Sequence, residues 1–179
     1  MTGARVLLLA AGRGRRAGGP KAWRPHGDTT LLESHLSFFE GLLGPGTLSI
    51  AIQDEWRSRC AVLSPKTVWV AADPDASPLS SLQALIAAFP AVRSFVLHVD
   101  MPVFDRTVYE ALSKAPGDAV VPTREGRRGH PVLLSPSVLA EISRLDAKTD
   151  RLDAFLRMKT VVEVPVATGA IDLNMNEAP

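Results

Sequence analysis

The sequence has little of what would commit it to a disulfide scaffold, a membrane or a nucleic acid. Its single cysteine, Cys60, cannot form a disulfide within the chain, which predicts a core residue and a cytoplasmic location. No apolar run approaches the length of a transmembrane helix, so we expect no membrane partner. The net charge of +1 creates no global field that attracts nucleic acid, and we expect no such partner either.

What the chain does have is enough apolar sequence for one α/β domain. Its 179 residues are 46% hydrophobic, and segments typical of strands alternate with segments typical of helices. This alternation predicts a single domain over residues 1–179, with a Rossmann-like, doubly wound, mostly parallel sheet and helices on both faces.

The most informative stretch runs from Val6 to Lys21 and reads VLLLAAGRGRRAGGPK. Its apolar start lacks alternation, as expected of a strand buried on both faces of a parallel sheet. The glycines that follow allow the backbone to approach an anion closely. Five cations lie within twelve residues, which suits a triphosphate: Arg13, Arg15, Arg16, Lys21 and Arg24. We therefore predict a nucleotide triphosphate loop.

A dinucleotide-binding loop is the main alternative for this stretch. Gly12-x-Gly14-x-x-Ala17 satisfies the G-x-G-x-x-G/A pattern of NAD-binding Rossmann proteins. That pattern also requires a helix at once and an acidic residue at the end of the next strand. Here Gly18-Gly19-Pro20 delays the helix, and Glu33 falls in a predicted helix after the threonine cap of Thr30. We therefore keep NAD binding only as a distant alternative.

A carboxylate follows a second predicted strand, Phe95 to Val99. Asp100 is then expected at the carboxyl edge of the sheet, facing the same crevice as the glycine loop. A carboxylate there suits Mg²⁺, which binds one or two carboxylates together with phosphate oxygens and water. Asp172 and Asn174, two apart on a predicted extended segment, would point to one side and add a second oxygen ligand.

A short turn near the middle of the chain offers a second anion site. Arg127 and Arg128 lie between glycines, and Gly129, His130 and Pro131 follow. This arrangement suits an acceptor phosphate, although a solvated hairpin is the alternative. His98 lies within the apolar strand and is predicted to be a core histidine. Ser80 is predicted to be the N-cap of a helix over residues 81–89.

Four of these motifs, in order, resemble the MobA-like nucleotidyltransferases, which include the molybdenum cofactor cytidylyl- and guanylyltransferases. Leu9-Ala10-Ala11-Gly12-x-Gly14-x-Arg16-x-Gly18-x-x-Lys21 has the spacing of the family signature L-A-A-G-x-S/G-x-R-M-G-x-x-K. Ser80-Ser81-Leu82 resembles the helix start near the base, and Asp100-Met101-Pro102 resembles the metal motif. The stretch GHPVLL from Gly129 resembles the family's G-H-P-V-L-F.

The resemblance implies a nucleotide-diphospho-sugar transferase-like fold and the transfer of NMP from an NTP to an acceptor phosphate, with release of pyrophosphate. It implies catalytic roles for Arg16, Lys21 and Asp100 and a Mg²⁺ cofactor on Asp100, with Asp172 and Asn174 as further ligands. The acceptor would bind at Arg127, Arg128, Gly129 and His130. The nucleotide would bind at Leu9, Ala10, Ala11, Gly12, Arg13, Gly14, Arg15, Arg16, Lys21, Ser80, Ser81 and Leu82.

The substrates are less constrained than the reaction. L-A-A-G and G-H-P-V-L-F are typical of the cytidylyl branch, which favours CTP over GTP and an acceptor such as molybdopterin. The end of the chain matches the family only partly, which leaves a catalytically degenerate nucleotide-binding regulator as an alternative. A sugar-phosphate acceptor also stays open, as do a homodimer and a partner in molybdoenzyme maturation.

Overall fold

The computed structural model of the chain describes residues 3–14, 18–89 and 92–175. Eight of its strands form one sheet and two form a small hairpin. The sheet strands are β1 (Arg5–Leu9), β4 (Leu48–Ile52), β5 (Val68–Ala71), β6 (Ser94–His98), β7 (Ala119–Arg124), β8 (Arg127–Arg128), β9 (Val132–Leu134) and β10 (Val161–Pro165). The hairpin strands are β2 (Pro25–His26) and β3 (Thr29–Thr30).

The helices alternate with the strands along the chain. They are α1 (Leu31–Leu43), α2 (Asp54–Leu63), α3 (Pro78–Ala87), α4 (Arg106–Lys114), α5 (Pro136–Ile142) and α6 (Leu152–Arg157), with 3₁₀ turns at Lys21–Trp23 and Gly169–Asp172. No helix in the described part of the chain is long and apolar enough to cross a membrane.

The strand order places β1 and β6 side by side at the centre of the sheet. The order is β10-β7-β9-β6-β1-β4-β5, and β8 pairs with β7. β1 is parallel to β4 and β6, whereas β9 runs antiparallel to β6 and β7. The chain leaves β1 towards β4 and β5 and returns to the other side at β6, so the crevice for a ligand opens beyond the carboxyl ends of β1 and β6. The predicted mostly parallel α/β sheet is confirmed.

Two apolar cores lie on opposite faces of this sheet. Leu8 of β1 belongs to the core beneath α1, α2 and α4, and its neighbour Leu7 belongs to the core beneath α3, α5 and α6. Both side chains are almost fully buried. A strand covered on both faces needs an unbroken apolar run, which is what the first strand has.

Helix α1 begins with the predicted capping box. The Glu33 amide donates to the Thr30 hydroxyl, and the Thr30 amide donates to the Glu33 carboxylate at 2.8 Å. The hydrogen bonds from Thr30 hold the pKa of Glu33 below its usual value. Gly44, with φ 86°, ends the helix, because glycine adopts this positive φ without strain. The predicted core position of Cys60 is also confirmed, since its side chain is buried and burial raises its pKa to about 11.

Two local predictions were wrong. The N-cap of α3 is Ser77, whose hydroxyl accepts from the Ser80 amide, because Pro78 can occupy the first turn of the helix and so moves its start forward. The segment that contains Asp172 is a 3₁₀ turn, Gly169–Asp172, and not an extended strand. The hydroxyl of Thr168 caps that turn.

Candidate active site

The glycine loop leaves the carboxyl end of β1 at the centre of the sheet. Leu9, Ala10 and Ala11 are buried, whereas Gly12 is exposed. The loop closes on itself through a hydrogen bond from the Gly19 amide to the Gly14 carbonyl at 3.2 Å. Gly14 has φ 62°, and a Cβ there would lie 1.8 Å from the Gly19 carbonyl oxygen, so only glycine permits this closure. Arg15 and Arg16 lie outside the described residues.

Lys21 and Asp100 meet at the carboxyl edge of β1 and β6. The 3₁₀ turn Lys21–Trp23 carries the lysine, whose ammonium donates to Asp100 at 2.6 Å. The Asp100 side chain is nearly buried, which strengthens this charge-assisted hydrogen bond. Asp100 does not cap the next helix, because Asp105 accepts from the Thr107 amide and caps α4.

His35 of α1 supports the backbone just before Asp100. β9 pairs with β6 only as far as Val96, so the Val99 carbonyl has no strand partner on that side. The His35 Nε2–H donates to this carbonyl at 2.9 Å. The ring has no exposed surface, and burial lowers its pKa to about 4. The Val99 amide in turn donates to the Leu9 carbonyl, which ties the Asp100 loop to the glycine loop.

A cavity of about 90 Å³ lies between the glycine loop and the start of α3. Its described lining includes four predicted positions, Leu9, Ala11, Gly12 and Ser81, whereas Leu82 lies in the core and Ser80 is partly buried. The other described lining residues are Asp73, Pro74, Ala76, Pro78 and His98. The loop from Asp73 to Ala76 was not predicted to be part of the site. Its position after the parallel strand β5 is the signal that would have found it.

An ion pair joins this loop to the glycine loop. The Arg13 guanidinium contacts the Asp75 carboxylate at 2.9 Å and 2.7 Å, with both side chains about half exposed. The Asp75 side chain raises the pKa of Arg13 by a hydrogen bond and by its charge. Arg13 therefore lies at the edge of the cavity and holds its two walls together.

The turn that contains Arg127 and Arg128 forms the hairpin of β7 and β8. Both arginines contact carboxylates of the chain. Arg128 contacts Glu163 at 2.7 Å, and Arg127 lies 3.7 Å from Asp172. Gly129 is buried, and a Cβ there would lie 2.5 Å from the Ile171 carbonyl oxygen. The His130 amide donates to the same carbonyl, so this segment packs against the 3₁₀ turn that carries Asp172.

Two histidines lie near Asp100. The pKa of His130 is lowered to about 4, chiefly by burial and also by the charge of His98, against the charge of Asp100. Burial also lowers the pKa of His98, against the charge of Asp100. The His130 Nδ1 is buried without a hydrogen-bond partner. Both rings therefore stay neutral at pH 7.

The end of the described chain lies over the site. The Met175 amide donates to the Asp100 carbonyl at 2.8 Å, and the Arg24 guanidinium donates to the Met175 carbonyl. Asp172 receives Arg124 at 3.5 Å as well as Arg127, and Asn174 is exposed. In residues 3–14, 18–89 and 92–175, no group of three or more His, Cys, Asp or Glu side chains is placed to hold a metal.

The fold is that of an α/β protein. Its glycine loop and Asp100 lie together at the carboxyl ends of β1 and β6, where the strand order of the sheet reverses. A family model described as the MobA-like NTP transferase domain matches residues 6–164. The chain belongs to this family, whose class of reaction is the transfer of a nucleotidyl group from an NTP. No curated protein matches the chain in sequence.

Solved structures with low sequence identity share the fold. Rv0371c from Mycobacterium tuberculosis H37Rv is 21% identical with a TM-score of 0.73, over 92% of this chain and 88% of that one. A further structure of Rv0371c is a complex with manganese, at 21% identity and TM-score 0.68, over 92% and 89% of the two chains. Molybdopterin-guanine dinucleotide biosynthesis protein A from Archaeoglobus fulgidus is 21% identical with a TM-score of 0.65, over 90% and 83%. A cytidylyltransferase from Leptospira borgpetersenii is 13% identical with a TM-score of 0.71, over 97% and 80%.

Proposed function

We propose that the chain transfers a nucleotidyl group from an NTP, with CTP preferred, to the phosphate of a small acceptor such as molybdopterin. The observation that carries this proposal is the contact of Lys21 with Asp100 at 2.6 Å, at the sheet edge where the glycine loop begins. The lysine of such a pair can bind the negatively charged phosphates, and the buried carboxylate beside it can bind the metal ion that accompanies a triphosphate.

The donor set fits a divalent cation that is shared with the substrate. Asp100 supplies one carboxylate, and Mg²⁺ in phosphate-transfer sites typically uses one or two carboxylates together with phosphate oxygens and water. The manganese complex of Rv0371c supports a divalent metal in this fold. When bound, the ion would neutralise charge on the phosphates. For Asp172 to be a second ligand, it would have to leave Arg124 and Arg127.

The side chains of the site would act by position and charge. An oxygen of the acceptor phosphate attacks the α-phosphorus, and the bond from that phosphorus to the bridging oxygen breaks, so that pyrophosphate leaves. Lys21 has three N–H donors and can contact both Asp100 and a phosphate. Together with Arg16 it would stabilise the charge that develops on the leaving pyrophosphate. Because the acceptor phosphate is already anionic at pH 7, no general base is needed.

For the acceptor we propose the surface formed by the β7–β8 hairpin and His130. Arg127 is exposed, and its contacts to Asp172 and Glu125, at 3.7 Å and 3.9 Å, are long enough to be exchanged for a phosphate. Arg128 is held by Glu163 at 2.7 Å and is the weaker candidate of the two.

The lining of the small cavity supports the proposed preference for a pyrimidine nucleotide over a purine nucleotide. Ala11 is buried and lines the cavity, and its methyl group would crowd a purine more than a pyrimidine. A difference of this kind yields only about 1–3 kcal/mol of discrimination, so we expect a preference and not exclusion.

Pyrophosphate release tests the proposal. CTP, GTP, ATP and UTP are compared at equal concentration with Mg²⁺ and molybdopterin, and then with sugar phosphates as acceptors. The Asp100→Asn variant is the control for background hydrolysis. Fastest release with GTP would contradict the CTP assignment alone. Nucleotide binding without release on any acceptor would favour a regulator, a second candidate that the ion pairs of Asp172 support.

A further inference from the structure

His98 lies between the small cavity and the contact of Lys21 with Asp100, where we place the phosphates. It is the last residue of β6, two positions before Asp100, and its ring lines the cavity together with Gly12 and Ser81. The sequence predicted a core histidine, because the neighbouring residues are apolar. Instead, the ring is only partly buried, since strand alternation turns it to the face that α3 covers.

The fold does not depend on a hydrogen bond from the His98 ring. Neither ring nitrogen hydrogen-bonds to any residue in the described part of the chain, although the His98 carbonyl accepts from the Met101 amide. Because the ring is only partly buried and lines the cavity, its unbonded nitrogens are accessible to a ligand there. A neutral imidazole offers one donor and one acceptor.

The charge of the cavity favours an uncharged group. Most of the described lining is apolar or neutral, and the one charged residue among the described lining residues is Asp73, which would repel a phosphate. Lys21, which is expected to bind phosphates, is not among the described lining residues. The lining therefore suits an uncharged part of a nucleotide, such as a base edge or a ribose hydroxyl, and the phosphates would lie towards Lys21.

We propose that His98 binds the nucleoside part of the NTP through a ring nitrogen. This inference rests on the proposed function and adds to it a residue that determines nucleoside affinity separately from phosphate affinity. A base edge and a ribose hydroxyl both offer the matching hydrogen-bonding chemistry.

Calorimetry with Mg²⁺ present tests this on three ligands: CTP, 2′-deoxy-CTP and inorganic tripolyphosphate. Two variants remove the contact, His98→Phe with a ring of similar size and His98→Ala without added bulk. His98→Gln keeps a donor and an acceptor. We expect roughly tenfold weaker CTP binding in the Phe and Ala variants, near-parent binding in the Gln variant, and unchanged tripolyphosphate binding in all three.

The outcomes separate this inference from the proposed function. Parent-like CTP affinity in both His98→Phe and His98→Ala overturns it, and so does equal weakening of CTP and tripolyphosphate. A parent protein that binds no NTP overturns the proposed function, and this inference with it. If the parent binds 2′-deoxy-CTP as weakly as His98→Ala binds CTP, the contact is to the sugar. If the parent binds both nucleotides equally, the contact is to the base or to the 3′-hydroxyl and not to the 2′-hydroxyl.

Discussion

Acid should destabilise the folded chain through His35. This ring has no exposed surface, donates from Nε2 to the Val99 carbonyl, and packs against Phe39 and Phe104 with ring centroids 5.8 Å and 4.8 Å apart. A charged imidazolium in this environment would lose its hydration without a carboxylate in contact. Its pKa is therefore lowered to about 4, chiefly by burial, against the hydrogen bond to Val99, while the charge of His26 lowers it and that of Asp100 raises it.

The sign of the effect follows from proton binding. The unfolded chain takes up a proton at His35 near pH 6.5, whereas the folded chain takes it up only near pH 4. Between these values the unfolded state binds more protons, so the free energy of unfolding falls as the pH falls. The contribution is fully present above pH 6.5. Its loss by pH 4 is about 3 kcal/mol, and the part lost between pH 7 and pH 5 is about 2 kcal/mol.

Denaturant unfolding at pH 7 and pH 5 measures this loss when the parent is compared with His35→Gln. Glutamine can donate to the Val99 carbonyl but does not titrate, and His98 and His130 are present in both proteins. We expect the parent to lose about 2 kcal/mol more than the variant between the two pH values. Equal losses would refute the reasoning, because they would mean that His35 takes up no extra proton on unfolding.

Three further predictions concern single side chains. Lys21→Ala should weaken NTP binding by about one to two decades in calorimetry, since it removes a charge-assisted contact, and unchanged affinity for every NTP would remove Lys21 from the phosphate site. Asp100→Asn should stay folded, with a lowered melting temperature because Lys21 loses its charged partner, and should lose metal-dependent turnover. Parent activity at limiting Mg²⁺ would contradict the role of Asp100 as a ligand. Thr30→Ala should lower the free energy of unfolding by about 1 kcal/mol through loss of the α1 cap. Thr29→Ala, at the exposed neighbour, is its control, and an equal loss there would argue against the cap.

Much of the fold and part of the site follow from local sequence. The run Val6 to Leu9 predicted a strand covered on both faces, and the capping box of Thr30 and Glu33 predicted the start of α1. Asp100 was expected at a strand end, and the glycine loop was expected opposite it. These predictions succeed because strand burial, helix caps and tight turns depend on residues that are close together in the sequence.

The rest depends on contacts between distant segments. No local pattern predicts that β9 lies antiparallel between β6 and β7. Because β9 does not reach Val99, the Val99 carbonyl can accept a hydrogen bond from His35. The same position of β9 brings His130 to Asp100.

The sequence by itself determined the order of strands and helices, the glycine loop and the carboxylate at the edge of the sheet. Only the tertiary structure decided that His98 faces a cavity, that Arg13 binds Asp75, and that Asp172 binds two arginines. The physical reason is that a side chain's partner is fixed by packing between elements far apart in sequence, whereas the sequence records only which chemistry each position can offer.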